Sequence, residues 1–385
     1  PKYPFVEEDV ATKNAIKMVV AGVHGSTSLE PVSAIKQIAD VDATYFGHPC
    51  PGGQQSYLCE WRCEMLGICG DQKDAITSVL DQYVDENFDE RPWDIPSAQE
   101  FLRSFVTDTP AWVAADVVLC AGPYVLCAML REVDDPNRPY IIWNARHLLD
   151  GLMGQSADTQ KRMMQLMKKF DNDMSTHLAA CEVYASMQFE YVTGVKMPAV
   201  PRIASYVDVA PPSGIARRDG MLLWRSRVWD RISGITLKRV LSRIADDAGL
   251  RLSSSSHEEP RFLSYEEMRD DYATALLLPN DITMYALPEL MRLDLWIFLP
   301  SVEMLHVMQA SVPYGFMVHP ASEDVLLSSQ EVRDKMPVPF WAPQGCHLPH
   351  FEYWTGLSDF NHEIFIIDQI SIIYPIIDRC FREQL

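Results

Sequence analysis

Two continuous apolar runs, residues 273–279 and 295–300, flank a polar loop and a helical segment. That spacing constrains the chain more than any other feature. A short apolar run bounded by turn residues is the signature of a buried strand. The first run ends at Pro279 and Asn280 and the second at Pro300 and Ser301, and between them a helix carries a lone acid, Glu289, one turn in. Ligands of open α/β sheets bind at the carboxyl ends of strands, and a helix start offers free N–H groups to phosphate. The segment therefore reads as a nucleotide seat in which Glu289 can accept both ribose hydroxyls.

The same alternation recurs along the chain. Residues 15–22, 42–46, 116–122, 139–144 and 174–180 read as strands, with helices expected over 31–39, 123–131, 157–171 and onward to Tyr191. The loop Val23-His24-Gly25-Ser26-Thr27-Ser28 caps the first of these helices. Residues 54–109 alternate helical stretches with polar loops, and residues 200–206 complete the first half. Two prolines stiffen residues 209–214 into a linker. A second array follows, with strands at 221–224 and 250–253, helices at 235–249 and 264–272, and then the nucleotide-seat segment. Strands separated by helices imply parallel sheets with right-handed crossovers. The expected architecture is α/β, with two Rossmann-like domains over 1–208 and 209–360 facing a cleft. Residues 361–385 follow as a packed helix that can cross from one lobe to the other. Ile364, Ile367, Ile370, Ile373, Ile377 and Phe381 supply its stripe, interrupted by Pro375.

Length supports two domains, since 385 residues exceed what one core usually fills. A net charge of −20 argues against nucleic acid or an anionic membrane surface as the main partner. A few local arginines can still dominate a pocket for a small anion. No apolar stretch reaches the roughly 18 residues of a spanning helix. The first residue is Pro1 and there is no Asn-x-Ser/Thr acceptor; the missing acceptor leans toward the cytoplasm, a Golgi lumen fits if an upstream anchor has been removed, and the sequence leaves the location undecided. Cys120, Cys127 and Cys181 lie in apolar runs and are expected to be small buried hydrophobes. Cys50, Cys59, Cys63 and Cys69 cluster with His48, which suits zinc or two disulfides, but no C-x-x-C spacing occurs, and no metal is expected.

Three segments carry a resemblance. They are residues 116–127 (Asp-Val-Val-Leu-Cys-Ala-Gly-Pro-Tyr-Val-Leu-Cys), residues 178–194 (Leu-Ala-Ala-Cys-Glu-Val-Tyr through Val-Thr-Gly) and residues 278–301 around Glu289. Together with the two-lobe pattern, they resemble the GT-B class of glycosyltransferases, and more closely GT-B-like proteins of protists and related eukaryotes. The resemblance implies metal-independent transfer of a sugar from a UDP- or GDP-type nucleotide sugar to a hydroxyl of a glycan or glycoconjugate acceptor. No cofactor is implied beyond the co-substrate. The chain lacks the compact Gly-rich loop and the paired acids, seven residues apart, of the better-known retaining members; only Glu289 matches.

Such a transfer needs the leaving diphosphate neutralised and the acceptor hydroxyl deprotonated. Arg225 and Arg227, with Arg231 and Lys238 behind them, are the donor-side cations; as a plain alternative they form a solvated basic face. Thr283 can bond phosphate or simply cap the helix, and Glu289 can bind ribose or compensate the helix dipole. Ser301 is a further donor contact, and Tyr265 is placed to stack on the base. His24 is the candidate general base because its unperturbed pKa lies near working pH; it can equally cap its loop. Glu30 and His48 are substitutes for it. Asn144, Arg146 and His147 line the acceptor side. Two other functions fit the same architecture: a nucleotide-sugar epimerase, and a non-catalytic two-lobe binding protein. Dinucleotide oxidoreduction is disfavoured, because no Gly-x-Gly-x-x-Gly follows any expected strand.

Overall fold

A computed structural model describes residues 15–22, 25–47, 76, 94–122, 124–144, 156–200, 202–209, 220–223, 232–249, 251–254, 263–278, 286–301, 326–336 and 364–367. The first apolar run becomes strand β1 (Ile16–Gly22), whose last five residues are buried. Its end is shaped by one glycine. A Cβ on Gly22 would fall 2.2 Å from Ser28 Oγ, so a side chain there would force the Ser28 hydroxyl out of its place. That helix, α1 (Gly25–Lys36), starts six residues earlier than the sequence suggests and holds Pro31 in its interior. Its early start lets Thr27, Ser28, Leu29 and Glu30 turn inward. Thr27 Oγ1 donates to the Ala121 carbonyl at 2.9 Å, a tether that offsets the N–H withheld by Pro31.

Strand β2 (Val41–Phe46) pairs with one side of β1, and β3 (Val117–Ala121) with the other. Before β3 come α2 (Ile95–Asp108) and the single turn α3 (Pro110–Val113). Asp94 caps α2 by accepting from the Ser97 N–H at 3.3 Å. Helix α4 (Tyr124–Val133) is buried along eight consecutive residues, Tyr124 to Arg131, which is the pattern of a helix enclosed on all sides. The charge in that run, Arg131, is fully engaged: it donates to Asp173 Oδ2, Thr176 Oγ1, Ser175 Oγ and the carbonyls of Asp135 and Pro136. Strand β4 (Tyr140–Asn144), α5 (Ala157–Lys169), β5 (Thr176–Ala180) and α6 (Val183–Thr193) complete the first array. Gly194 closes α6 in the left-handed conformation, φ 77°.

The second array contains β6 (Gly220–Leu223), α7 (Ile232–Ala248), β7 (Arg251–Ser254), α8 (Tyr265–Asp271), β8 (Tyr272–Leu276), α9 (Ala286–Arg292) and β9 (Trp296–Pro300). Ser264 and Glu267 form a reciprocal capping box at the start of α8. Further on lie the short turn α10 (Gln330–Arg333) and β10 (Ile364–Ile367). All strand pairs among the described residues are parallel. The sheets run in the orders β2-β1-β3-β4-β5 and β10-β9-β8-β6-β7. Numbered within its own array, each sheet has the order 2-1-3-4-5. The fold is α/β with two parallel sheets, compatible with Rossmann-like units.

Two expectations are corrected here. Residues 364–367 are not helical: Ile-Phe-Ile-Ile is a strand paired with β9. A run of four adjacent β-branched and aromatic residues suits a sheet position better than one helix face. Ile370, Ile373, Pro375, Ile377 and Phe381 lie outside the described residues. Cys120 and Cys127 are not independent hydrophobes; they form a disulfide joining β3 to the first turn of α4, while Cys181 is buried and outside any disulfide. The sequence hid this pairing because both cysteines sit in uniformly apolar surroundings. The cluster of His48, Cys50, Cys59, Cys63 and Cys69 lies outside the described residues.

Buried side chains of both sheets belong to one connected apolar cluster. A return crossing adds to it: the N–H groups of Leu327 and Ser328 both donate to the Val192 carbonyl at the end of α6, at 2.7 and 3.0 Å. Among the described residues no helix is long and apolar enough to cross a membrane.

Candidate functional site

Five consecutive residues after the first sheet tie several elements together through polar contacts. The Arg202 guanidinium donates to Glu182 Oε2 at 2.9 Å, and both side chains are buried. The Ile203 N–H donates to Glu30 Oε1 at 2.8 Å, and the Ala204 N–H bonds the same carboxyl. Ser205 Oγ lies 2.6 Å from Ser33 Oγ. The Tyr206 hydroxyl donates to Glu289 Oε1 at 2.6 Å. Residues 202–206 thus form a strap joining the start of α6, two turns of α1, and α9 of the second array.

Local geometry explains how the strap reaches Glu30. Ala204 has φ 47°, a left-handed conformation uncommon for a residue with a Cβ. Beside it, two successive N–H groups, of Ile203 and Ala204, meet one carboxyl, as backbone concavities do for anions. Glu30 is 2% exposed, and its Oε2 has no hydrogen-bond partner among the described residues.

Burial pushes the Glu30 carboxyl above its ordinary range. The Ile203 and Ala204 N–H groups and the Arg202 charge oppose that rise, while the negative charge of Glu289 adds to it. One guanidinium therefore serves two buried carboxyls, Glu182 directly and Glu30 through space. A carboxyl held this way exchanges its proton closer to neutrality than a solvated one, which is what general acid or base work requires.

Glu289 occupies the fourth position of α9, between the third and fourth strands of its array, as the sequence indicated. It is 1% exposed. Its carboxylate faces inward to Tyr206 rather than outward to solvent. Ser301, at the end of β9, is also buried.

Other expected residues fall in different surroundings. Tyr265 opens α8 with its ring inside the core, so in this structure it offers no open face for a base. Asn144 is buried at the end of β4 and donates weakly to the Ala185 carbonyl at 3.5 Å; it braces β4 against α6. Lys238 lies half-buried on α7. His24, His48, Arg146, His147, Arg225, Arg227, Arg231 and Thr283 lie outside the described residues. Strand β6 ends at Leu223, two positions before Arg225.

The strap residues Arg202, Ser205 and Tyr206, and their partners Glu182 and Ser33, were not among the residues singled out from sequence. Residues 200–206 alternate small, basic and aromatic types with neither helical nor strand periodicity. The available signal was compositional: an arginine, a serine and a tyrosine in an otherwise apolar segment. Comparison with protein-family models and with curated proteins finds no match to this chain in either.

Proposed function

We propose that the chain is a glycosyltransferase of the two-lobe GT-B type, moving a sugar from a nucleotide-sugar donor to a hydroxyl acceptor without a metal. The observation that carries the reading is the 2-1-3-4-5 parallel order of the second sheet, with Glu289 on the helix after its third strand. In sheets of that order, ligands bind where the first and third strands diverge at their carboxyl ends. Here those strands are β6 and β8. Arg225 and Arg227 follow β6 immediately in sequence, so the donor diphosphate meets cations at that point and its ribose meets Glu289. The first array, with the same order and a buried carboxyl at Glu30, takes the acceptor side. In this reading Glu30 is the group suited to move the acceptor proton, with His24 as the alternative on the preceding loop.

The burial of Glu289 favours a second reading, a two-lobe binding protein without turnover. One experiment separates them. The purified chain is incubated with a panel of UDP- and GDP-sugars, and released nucleotide is followed by chromatography. Donor-dependent release, including slow transfer to water, supports the enzyme. Nucleotide binding without release supports the binding protein. Release of a rearranged sugar nucleotide without any acceptor indicates an epimerase.

A further inference from the structure

The Tyr206 hydroxyl and the hydroxyls of a ribose present the same chemistry to Glu289: an O–H donor at hydrogen-bond distance from a carboxylate. In this structure the donor is Tyr206, 2.6 Å from Glu289 Oε1, with both residues buried. We propose that Tyr206 is an internal latch on Glu289, occupying the carboxylate that a nucleotide ribose takes, so that nucleotide binding displaces the 202–206 strap. This rests on the nucleotide-sugar reading of the site.

The rest of the strap has the character of a segment that can be released. Ala204 is held left-handed at φ 47°, a conformation that persists only where surroundings enforce it. Glu30, which receives the Ile203 and Ala204 N–H groups, keeps one buried oxygen unbonded among the described residues. Freeing the strap relaxes the alanine and opens Glu30 to solvent. It also exchanges one phenol donor at Glu289 for two vicinal ribose hydroxyls. A ligand shifts such an equilibrium only through its preference for one state, and here the preference is the ribose contact that the latched state denies.

The test is calorimetric titration of UDP and GDP into the wild type and Tyr206→Phe, which removes the donor and keeps the ring. The latch predicts about tenfold tighter binding to the variant, the scale of one hydrogen bond to a charged group. It also predicts that the gain disappears for the 2′,3′-dideoxy nucleotide. Equal or weaker binding of the parent nucleotide to folded Tyr206→Phe overturns the latch while leaving the nucleotide reading intact. If neither protein binds either nucleotide, the nucleotide reading fails and the latch with it. A second readout needs no variant: on saturating wild-type protein with nucleotide, hydrogen exchange at the Ile203 and Ala204 amides should accelerate. Slower or unchanged exchange at saturation contradicts the latch.

Discussion

Arg202 and Glu182 form an ion pair at 2.9 Å in which side-chain exposure is only 7% and 4%. Both charges are withdrawn from water, and the guanidinium also favours the charged form of Glu30. Removing one partner leaves the other buried without this ion pair. Arg202→Ala is therefore expected to cost about 3 kcal/mol or more of stability. The double replacement Arg202→Met with Glu182→Leu should recover most of that loss, since well-packed apolar residues often replace a buried pair without penalty. Denaturant melts of the single and double variants check this. A single variant as stable as wild type would mean that the pair is hydrated in solution.

Glu30 yields a prediction in the opposite direction. Its carboxyl titrates above its ordinary value because of burial, reinforced by the charge of Glu289. An acid raised in the folded state contributes stability that is present at low pH and lost as pH rises through its folded pKa. Glu30→Gln keeps an acceptor for the Ile203 and Ala204 N–H groups and removes the charge. The variant should match wild type near pH 4 and exceed it by roughly 1 kcal/mol at pH 8. Thermal melts across that range decide the matter, and a constant difference at all pH values would contradict it. On the acid–base reading, the same variant should also lose transferase activity.

At the opposite edge of the first sheet, Asp173 behaves in the reverse sense. Burial acts to raise its carboxyl, but donors from Ser175, Thr176 and Arg131 prevail and hold it well below the carboxylate range. A depressed acid contributes stability at neutral pH that fades as pH falls through its folded value. Asp173→Ala should cost on the order of 2 kcal/mol at pH 7, because Arg131 loses its charged partner. The difference should shrink below about pH 4. Denaturant melts at pH 7 and pH 3 measure both terms.

The Cys120–Cys127 disulfide closes a short loop at the carboxyl end of β3. In the chain-entropy account, a loop of that size contributes about 2 kcal/mol. Alkylation of the denatured, unreduced protein followed by peptide mass mapping should leave Cys120 and Cys127 unlabelled and Cys181 labelled. Reduction should lower the melting temperature by several degrees. Label on all three cysteines would refute the pairing.

Much of the fold was legible because strand and helix signals here are strong and local. Continuous apolar runs gave β1, β3, β4 and β9 within a residue or two, since strands covered on both faces carry no polar alternation; β8 starts one residue earlier than its run and ends at Leu276, three short of it. The equivalence of the two arrays was not legible, because a shared 2-1-3-4-5 order needs no shared residues. The start of α1 was misplaced because Pro31 suggested a first turn, whereas Thr27 and its bond to Ala121 fixed the helix earlier. Strand β10 was misread because four apolar residues in a row also fit a helical stripe. At the candidate site, Glu289 and Glu30 stood out as acids near strand ends. Their burial, and the strap that connects them to Arg202 and Tyr206, depend on contacts between residues up to 173 positions apart. No local pattern encodes such contacts.

On the proposed reading, the carboxyl end of the second sheet seats a nucleoside diphosphate. A crystal structure of the chain with UDP or GDP tests it most directly. The diphosphate should lie beside Arg225 and Arg227, with the ribose hydroxyls on Glu289. Nucleotide bound elsewhere, or a saturated soak with Glu289 still closed on Tyr206 and no ligand at β6 and β8, would contradict it.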